Sequence, residues 1–184
     1  NMTAPRLQNK RILAVDDEVD ILETITDILD MARVDTAQDY QTASDKIGRG
    51  GYDLAILDIM GVDGLTLLEE ATEKNIPAVM LTAHAVNPEA LMASIRKGAI
   101  SYLPKEKLSE LDTLLDELLS AQERGEPPWK LLFEKLGSYF DERFGLDWKE
   151  KDKAFWADFS RTYQVGKGIQ ERLKHDRRLK GMGV

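Results

Sequence analysis

The chain has 184 residues, a formal net charge of −8 and no cysteine. Without cysteine there are no disulfides, thiolate metal sites or thiol nucleophiles. No apolar run approaches the roughly 18 residues that a membrane span needs, and no signal-peptide pattern opens the chain, so a cytoplasmic protein is the expectation.

The charge is unevenly divided. Residues 1–122 hold 11 Lys and Arg against 22 Asp and Glu, whereas residues 123–184 hold 14 against 11. Every Trp and Phe lies after residue 122. Two sections with different packing chemistry are expected, meeting near Gly125-Glu126-Pro127-Pro128. The acidity of the first section argues against nucleic acid there.

In chain order, Arg11 to Val15 reads as a short buried strand stopped by Asp16-Asp17-Glu18. Ile21, Leu22, Ile25, Ile28, Leu29 and Ala32 then recur at helical spacing up to Arg33. Val34 to Ala37 is a weak strand, and Asp39 to Ile47 a helix ended by glycines. Leu54 to Leu57 is a clear strand and Leu65 to Lys74 a helix; Ala78 to Leu81 is the fourth strand. Asn87-Pro88 opens a helix reaching Lys97, with Gly98 beyond its end. Ile100 to Leu103 is a fifth strand, and the leucines from 108 to 119 mark an amphipathic helix. Five strand–helix alternations predict an α/β fold, an open parallel sheet covered on both faces. Right-handed crossovers bring all the strand ends to one edge, where such sheets bind ligands.

The residues predicted for that edge carry chemistry. Asp16 and Asp17 follow the first strand, Asp58 the third, Thr82 the fourth and Lys105 the fifth. Crowded carboxylates raise one another's pKa unless cations neutralise them. Lys105 supplies one charge, and a hard divalent cation with oxygen ligands, such as Mg²⁺, supplies more. A carboxylate can attack phosphorus, and phosphoryl transfer needs mainly positioning and charge neutralisation. Singly, each residue has a plainer explanation: aspartates after strands often cap helices, and a lone lysine is usually solvated. The ordered set favours the chemical one.

The stretches "ILAVDDE", "DLAILDI", "VDGL", "VMLTAHA" and "ISYLPKE" make residues 10–121 resemble the receiver domain of two-component response regulators. The resemblance implies a flavodoxin-like, doubly wound five-stranded parallel sheet of order 2-1-3-4-5. It implies Asp58 as phosphoacceptor, with Thr82 and Lys105 completing the catalytic set. By the same resemblance, Asp16, Asp17, Asp58 and the carbonyl of Met60 hold Mg²⁺ or Mn²⁺, and Thr82 and Tyr102 form the switch. The implied function is phosphoryl acceptance from a sensor histidine kinase or phosphotransfer protein, a two-component phosphorelay step rather than turnover of a separate substrate. Its implied readout face is helix four, strand five and helix five, a possible homodimer surface.

Two departures from the family stand out. The loop Ile59-Met60-Gly61-Val62 is short, and φ > 0 at Gly61 is expected to relieve its turn. Met60 beside a phosphoryl group would slow hydrolysis. Glu106 follows Lys105 where relatives carry a cis proline; either a trans bond or a strained cis bond is expected. His84 is read as an exposed loop residue.

Residues 122–128 read as a linker and 129–184 as an α-helical extension with a basic tail. Trp129, Leu132, Phe133, Leu136, Phe140 and Phe144 form one helical stripe; Phe155, Trp156, Phe159 and Tyr163 form a second. Asp147 to Glu150 has the form of a capping box. A helical pair this small must bury its aromatics on the receiver, a second copy or a partner. An alternative makes the extension a DNA-binding output, with a helix-turn-helix over residues 159–178; DNA is the less expected partner. A magnesium-dependent phosphatase ranks last, because Met60 stands where such enzymes carry a second aspartate.

Overall fold

The computed structural model describes residues 4–83 and 87–164. His84, the side chain of Tyr163 and the basic tail lie outside those residues, as does the second half of the helix-turn-helix alternative. Five parallel strands form one sheet: β1 (Arg11–Val15), β2 (Arg33–Ala37), β3 (Leu54–Asp58), β4 (Ala78–Thr82) and β5 (Ser101–Pro104). Their order is β2-β1-β3-β4-β5, which is the doubly wound arrangement expected.

Hydrophobic burial explains why some strands were easier to read. β3 and β4 are central and wholly buried, so they appear as unbroken apolar runs. β2 is an edge strand with half-buried residues, hence its weak pattern. β5 is the opposite edge, yet every residue in it is buried.

The helices are α1 (Val19–Ile28), α2 (Tyr40–Arg49), α3 (Gly64–Glu73), α4 (Pro88–Arg96) and α5 (Leu111–Glu123). α1 packs beside α5, and α2 beside α3, which touches α4. Right-handed crossovers place these two groups on opposite faces of the sheet. Two boundaries differ from the periodic reading. α1 stops at Ile28 rather than Arg33, because Leu29 leaves helical geometry while keeping its side chain in the core. The apolar period therefore outlasts the helix. Likewise Leu108 is buried, but in a 3-10 turn, Lys105–Glu110, that precedes α5.

α5 continues through Gln122 and Glu123, so the connection to the extension is only residues 124–127, shorter than the linker expected. Glu126 N–H returns to Ala121 O at 2.9 Å, and Gly125 takes φ +70° to make this turn. The extension is α6 (Pro128–Phe144), a 3-10 turn (Trp148–Asp152) and α7 (Lys153–Gln164). Pro128 sits at the first position of α6, where its missing N–H leaves no bond unmade. The capping box is not formed: the Asp147 side chain caps nothing, and a 3-10 turn occupies the place expected for the helix start. Trp148 anchors the turn instead, donating Nε1–H to Asp141 Oδ1 at 2.9 Å.

The stripe of α6 is covered by the receiver, whereas that of α7 packs on Phe133 and Trp148, with Phe155 beside Arg96 of α4. α6 lies against α5 and β5, and Trp129, Leu132, Leu136 and Phe140 join the core of the sheet. The burial of the β5 edge follows from this contact.

Candidate phosphoacceptor site

Five strand ends meet at one edge, and four of the predicted residues converge there. Lys105 Nζ lies 2.9 Å from Asp16 Oδ2 and 3.4 Å from Asp58 Oδ1. Asp16, Asp17 and Asp58 each bring a carboxylate oxygen within 4.8 Å of the other two. Asp16 is 0% exposed and Asp58 3%, whereas Asp17 faces solvent. Neither Asp17 nor Asp58 caps a helix: the N-cap of α1 is Glu18 and that of α3 is Asp63. The plain structural explanation for those two aspartates is therefore absent.

Local chemistry builds the site. Asp16 Oδ1 accepts from the Glu18 N–H at 2.9 Å, which turns the chain from β1 into α1 and holds the carboxylate inward. The short loop after β3 relies on two glycines. Gly61 takes φ +84°, as the tight turn requires, and a Cβ there would lie 2.6 Å from Asp17 Oδ2. At Gly64 a Cβ would stand 1.9 Å from the Asp58 carbonyl oxygen, an impossible approach for any other residue. Gly64 N–H bonds Ile59 O at 3.2 Å, closing the turn, and buried Val62 pins it to the core.

Electrostatics mark the cluster as short of positive charge. Burial, reinforced by the negative charge of Asp16, pushes the Asp58 carboxyl up to about 6 against the pull of Lys105. Burial also raises Asp16, though Lys105 and the Glu18 N–H oppose it. Burial alone would lower Lys105, but its pairing with Asp16 and Asp58 outweighs that and keeps it firmly cationic. Three carboxylates around one ammonium form an all-oxygen, net-negative donor set, which suits a hard cation.

Thr82 ends β4 one residue beyond Leu81, the register partner of Asp58, and is buried. Its Oγ1–H donates to Ala83 O at 3.2 Å. Tyr102, on β5, is 1% exposed and turned inward; its hydroxyl faces Thr82 without closing a well-formed hydrogen bond. Met60 stands apart from the buried set, 70% exposed on the loop after β3. The bond from Lys105 to Glu106 is trans, the first of the two alternatives.

One participant was not singled out from the sequence, and the partners of another were not foreseen. Glu18 Oε2 lies 3.2 Å from Lys105 Nζ, making a third carboxylate on that ammonium. Its position in the acidic run after β1 was the available signal. Glu106 turns away from the site and accepts hydrogen bonds from Tyr139 and Arg143 of α6, the latter at 3.1 Å. Its being an acid where relatives carry proline was visible; its partners were not.

Comparison with known proteins agrees with this geometry. The family model of the response regulator receiver domain matches residues 12–116. Among curated proteins, the transcriptional activator protein PfeR of Pseudomonas aeruginosa is 38% identical over 90 residues, covering 47% of this chain and 30% of PfeR. The two-component response regulator ARR10 of Arabidopsis thaliana is 34% identical over 102 residues, covering 52% of this chain and 18% of ARR10. The chain thus spans about a third or less of the length of the curated relatives it matches. A receiver domain protein (CheY-like) from Methanospirillum hungatei superposes with a TM-score of 0.58 at 29% identity, covering 64% of this chain and 98% of that one. With the strand order, the acidic cluster and this match over more than half its length, the chain belongs to the response regulator receiver domain family.

Proposed function

We propose that the chain receives a phosphoryl group on Asp58 from a phosphohistidine in a sensor histidine kinase or phosphotransfer protein, and passes the change on through protein contacts. The observation that carries this reading is the Asp58 carboxylate, 3% exposed at a strand end, facing Lys105 amid two further aspartates. An Asp58 carboxylate oxygen attacks phosphorus as the P–N bond of the donor breaks; the departing imidazole takes a proton from solvent. Lys105 meets charge on the phosphoryl oxygens, and the Thr82 hydroxyl, freed from Ala83 O, donates a hydrogen bond to one of them. Asp16, Asp17, Asp58 and the Met60 carbonyl would hold Mg²⁺ or Mn²⁺, which supplies positive charge to the transferring group. The chain is then both acceptor and substrate, and does not turn over a separate one.

Incubation with acetyl phosphate and Mg²⁺, followed by intact mass measurement, tests the reading. The wild type gains one phosphoryl group and Asp58→Asn gains none. Equal labelling of both, or no labelling of the wild type, overturns it.

A further inference from the structure

A lysine ammonium has three donor hydrogens, and three carboxylates share that of Lys105. Asp16 Oδ2 lies 2.9 Å from Nζ, Glu18 Oε2 3.2 Å and Asp58 Oδ1 3.4 Å. With every donor engaged, a phosphoryl oxygen reaches this nitrogen only as one carboxylate yields.

The three are not equally able to yield. Asp16 is wholly buried, and its other oxygen is held by the Glu18 N–H at 2.9 Å. Parting it from Lys105 would leave a buried charge unpaired, which is strongly unfavourable. Asp58 is buried too, and is the acceptor itself. Glu18 differs. Its side chain is 61% exposed, and although Glu18 stands at the N-cap of α1, that side chain caps nothing. Water replaces an ammonium around an exposed carboxylate at little cost. Glu18 is therefore the exchangeable partner.

Its place also sets the charge that a phosphoryl donor meets. Asp16 and Asp58 lie on the buried side of Lys105, and Glu18 lies on the solvent side. An oxygen that accepts a hydrogen bond from Lys105 Nζ comes within about 6 Å of the Glu18 carboxylate. At that spacing a unit charge alters a rate about threefold in water, and more where water is partly excluded. Donors differ in the charge they release. A phosphohistidine or a phosphoramidate sheds a neutral nitrogen base, whereas an acyl phosphate sheds a carboxylate anion.

We propose that Glu18 is a positioning residue that holds Lys105 until a phosphoryl oxygen takes its place, and that its exposed carboxylate selects donors with a neutral nitrogen leaving group over acyl phosphates. The selection rests on the function proposed above. An Asp58 oxygen forms the new O–P bond as the P–N bond breaks; the nitrogen departs with the electron pair and takes up a proton from solvent. One Lys105 N–H turns from Glu18 to a phosphoryl oxygen, with no proton transferred, and the Glu18 carboxylate turns to water. With an acyl phosphate the P–O bond breaks instead, and the departing carboxylate builds negative charge beside Glu18.

Two measurements on the full chain test this. Lysine side-chain NMR, without donor or metal, reads the pair directly, with the Lys105 signal assigned by its loss in Lys105→Arg. Glu18→Ala moves the Lys105 Nζ resonance and leaves the other lysines in place; an unmoved resonance overturns the positioning. In the second arm, labelling of Asp58 in Mg²⁺ is followed by intact mass with acetyl phosphate and with phosphoramidate. Glu18→Gln raises the ratio of the acetyl phosphate rate to the phosphoramidate rate about threefold or more over wild type. At about 1 M salt, where charges are screened beyond about 3 Å, the two proteins converge. An unchanged ratio, or a change that survives the salt, overturns the selection. A wild type labelled by neither donor refutes the functional reading and the selection with it, whereas the pairing of Glu18 with Lys105 is still decided by the first arm.

Discussion

Gly61→Ala separates two consequences of a single missing methyl. The residue holds φ +84°, a conformation that costs an L-residue about 1–2 kcal/mol. For a chain of this size each kcal/mol moves Tm by about 2–4 °C, so the strain alone lowers Tm by about 2–8 °C. The new Cβ would stand 2.6 Å from Asp17 Oδ2, and the exposed Asp17 side chain is what gives way. Its displacement removes one of the three carboxylates, and Mg²⁺ affinity falls about 10- to 100-fold, the range for losing a supporting group at a metal site. Thermal melts and a calorimetric Mg²⁺ titration measure the two effects separately. Gly48→Ala is the matched control: it lies in α2 with open space around its Cβ and an ordinary φ, so helix propensity alone should stabilise it by up to about 1 kcal/mol. If Gly61→Ala binds Mg²⁺ as tightly as wild type, the placement of Asp17 in the metal site is wrong.

Three further outcomes are expected. In chelator, Asp58 holds a proton in the folded chain up to about pH 6 that it releases near 3.8 when unfolded. Its contribution is therefore fully present below about pH 4 and is lost as pH rises through about 6, on the order of 3 kcal/mol. The difference between wild type and Asp58→Asn in urea titrations across this range isolates it; a flat difference contradicts the burial argument. Phe140→Ala deletes a ring that meets Tyr102, Tyr139, Phe144 and Trp148, and should lower the unfolding free energy by about 3–5 kcal/mol in denaturant. Gly137→Ala, in α6 with nothing near its Cβ, should raise it by about 1 kcal/mol; a destabilised variant would mean that this face of α6 is not open.

The parts of the fold that could be read in the sequence were those whose physics is local. β3 and β4 declare themselves because both their faces are buried. Asp16, Asp58 and Lys105 were visible because chain connectivity alone sends each strand end to the same edge. Gly61 was legible as a turn glycine, but its closeness to Asp17 depends on two loops meeting. The end of α1 was hidden because Leu29 keeps the apolar rhythm after the backbone has left the helix. The stripe of α6 named its buried face and was silent about the covering, since an apolar stripe is the same against a receiver, a copy or a partner. Glu106 illustrates the limit most directly: it could be seen as a departure beside Lys105, but its partners lie more than thirty positions along the chain.

The sealing of β5 has a bearing on how the protein behaves at high concentration. An open sheet has two rims, and unpaired backbone groups on a rim recruit strands from neighbouring molecules. The β2 rim protects itself with two charged residues, Arg33, which is exposed, and Asp35, which is half-buried. The β5 rim carries Ser101-Tyr102-Leu103-Pro104, without a charged side chain, and is shielded by α6. Undocking of α6 would uncover an apolar rim, so freely undocked chains are prone to self-association. That rim is only four residues long and ends in a proline, which cannot extend a backbone ladder. Its brevity limits stray strand pairing whenever the helix is away.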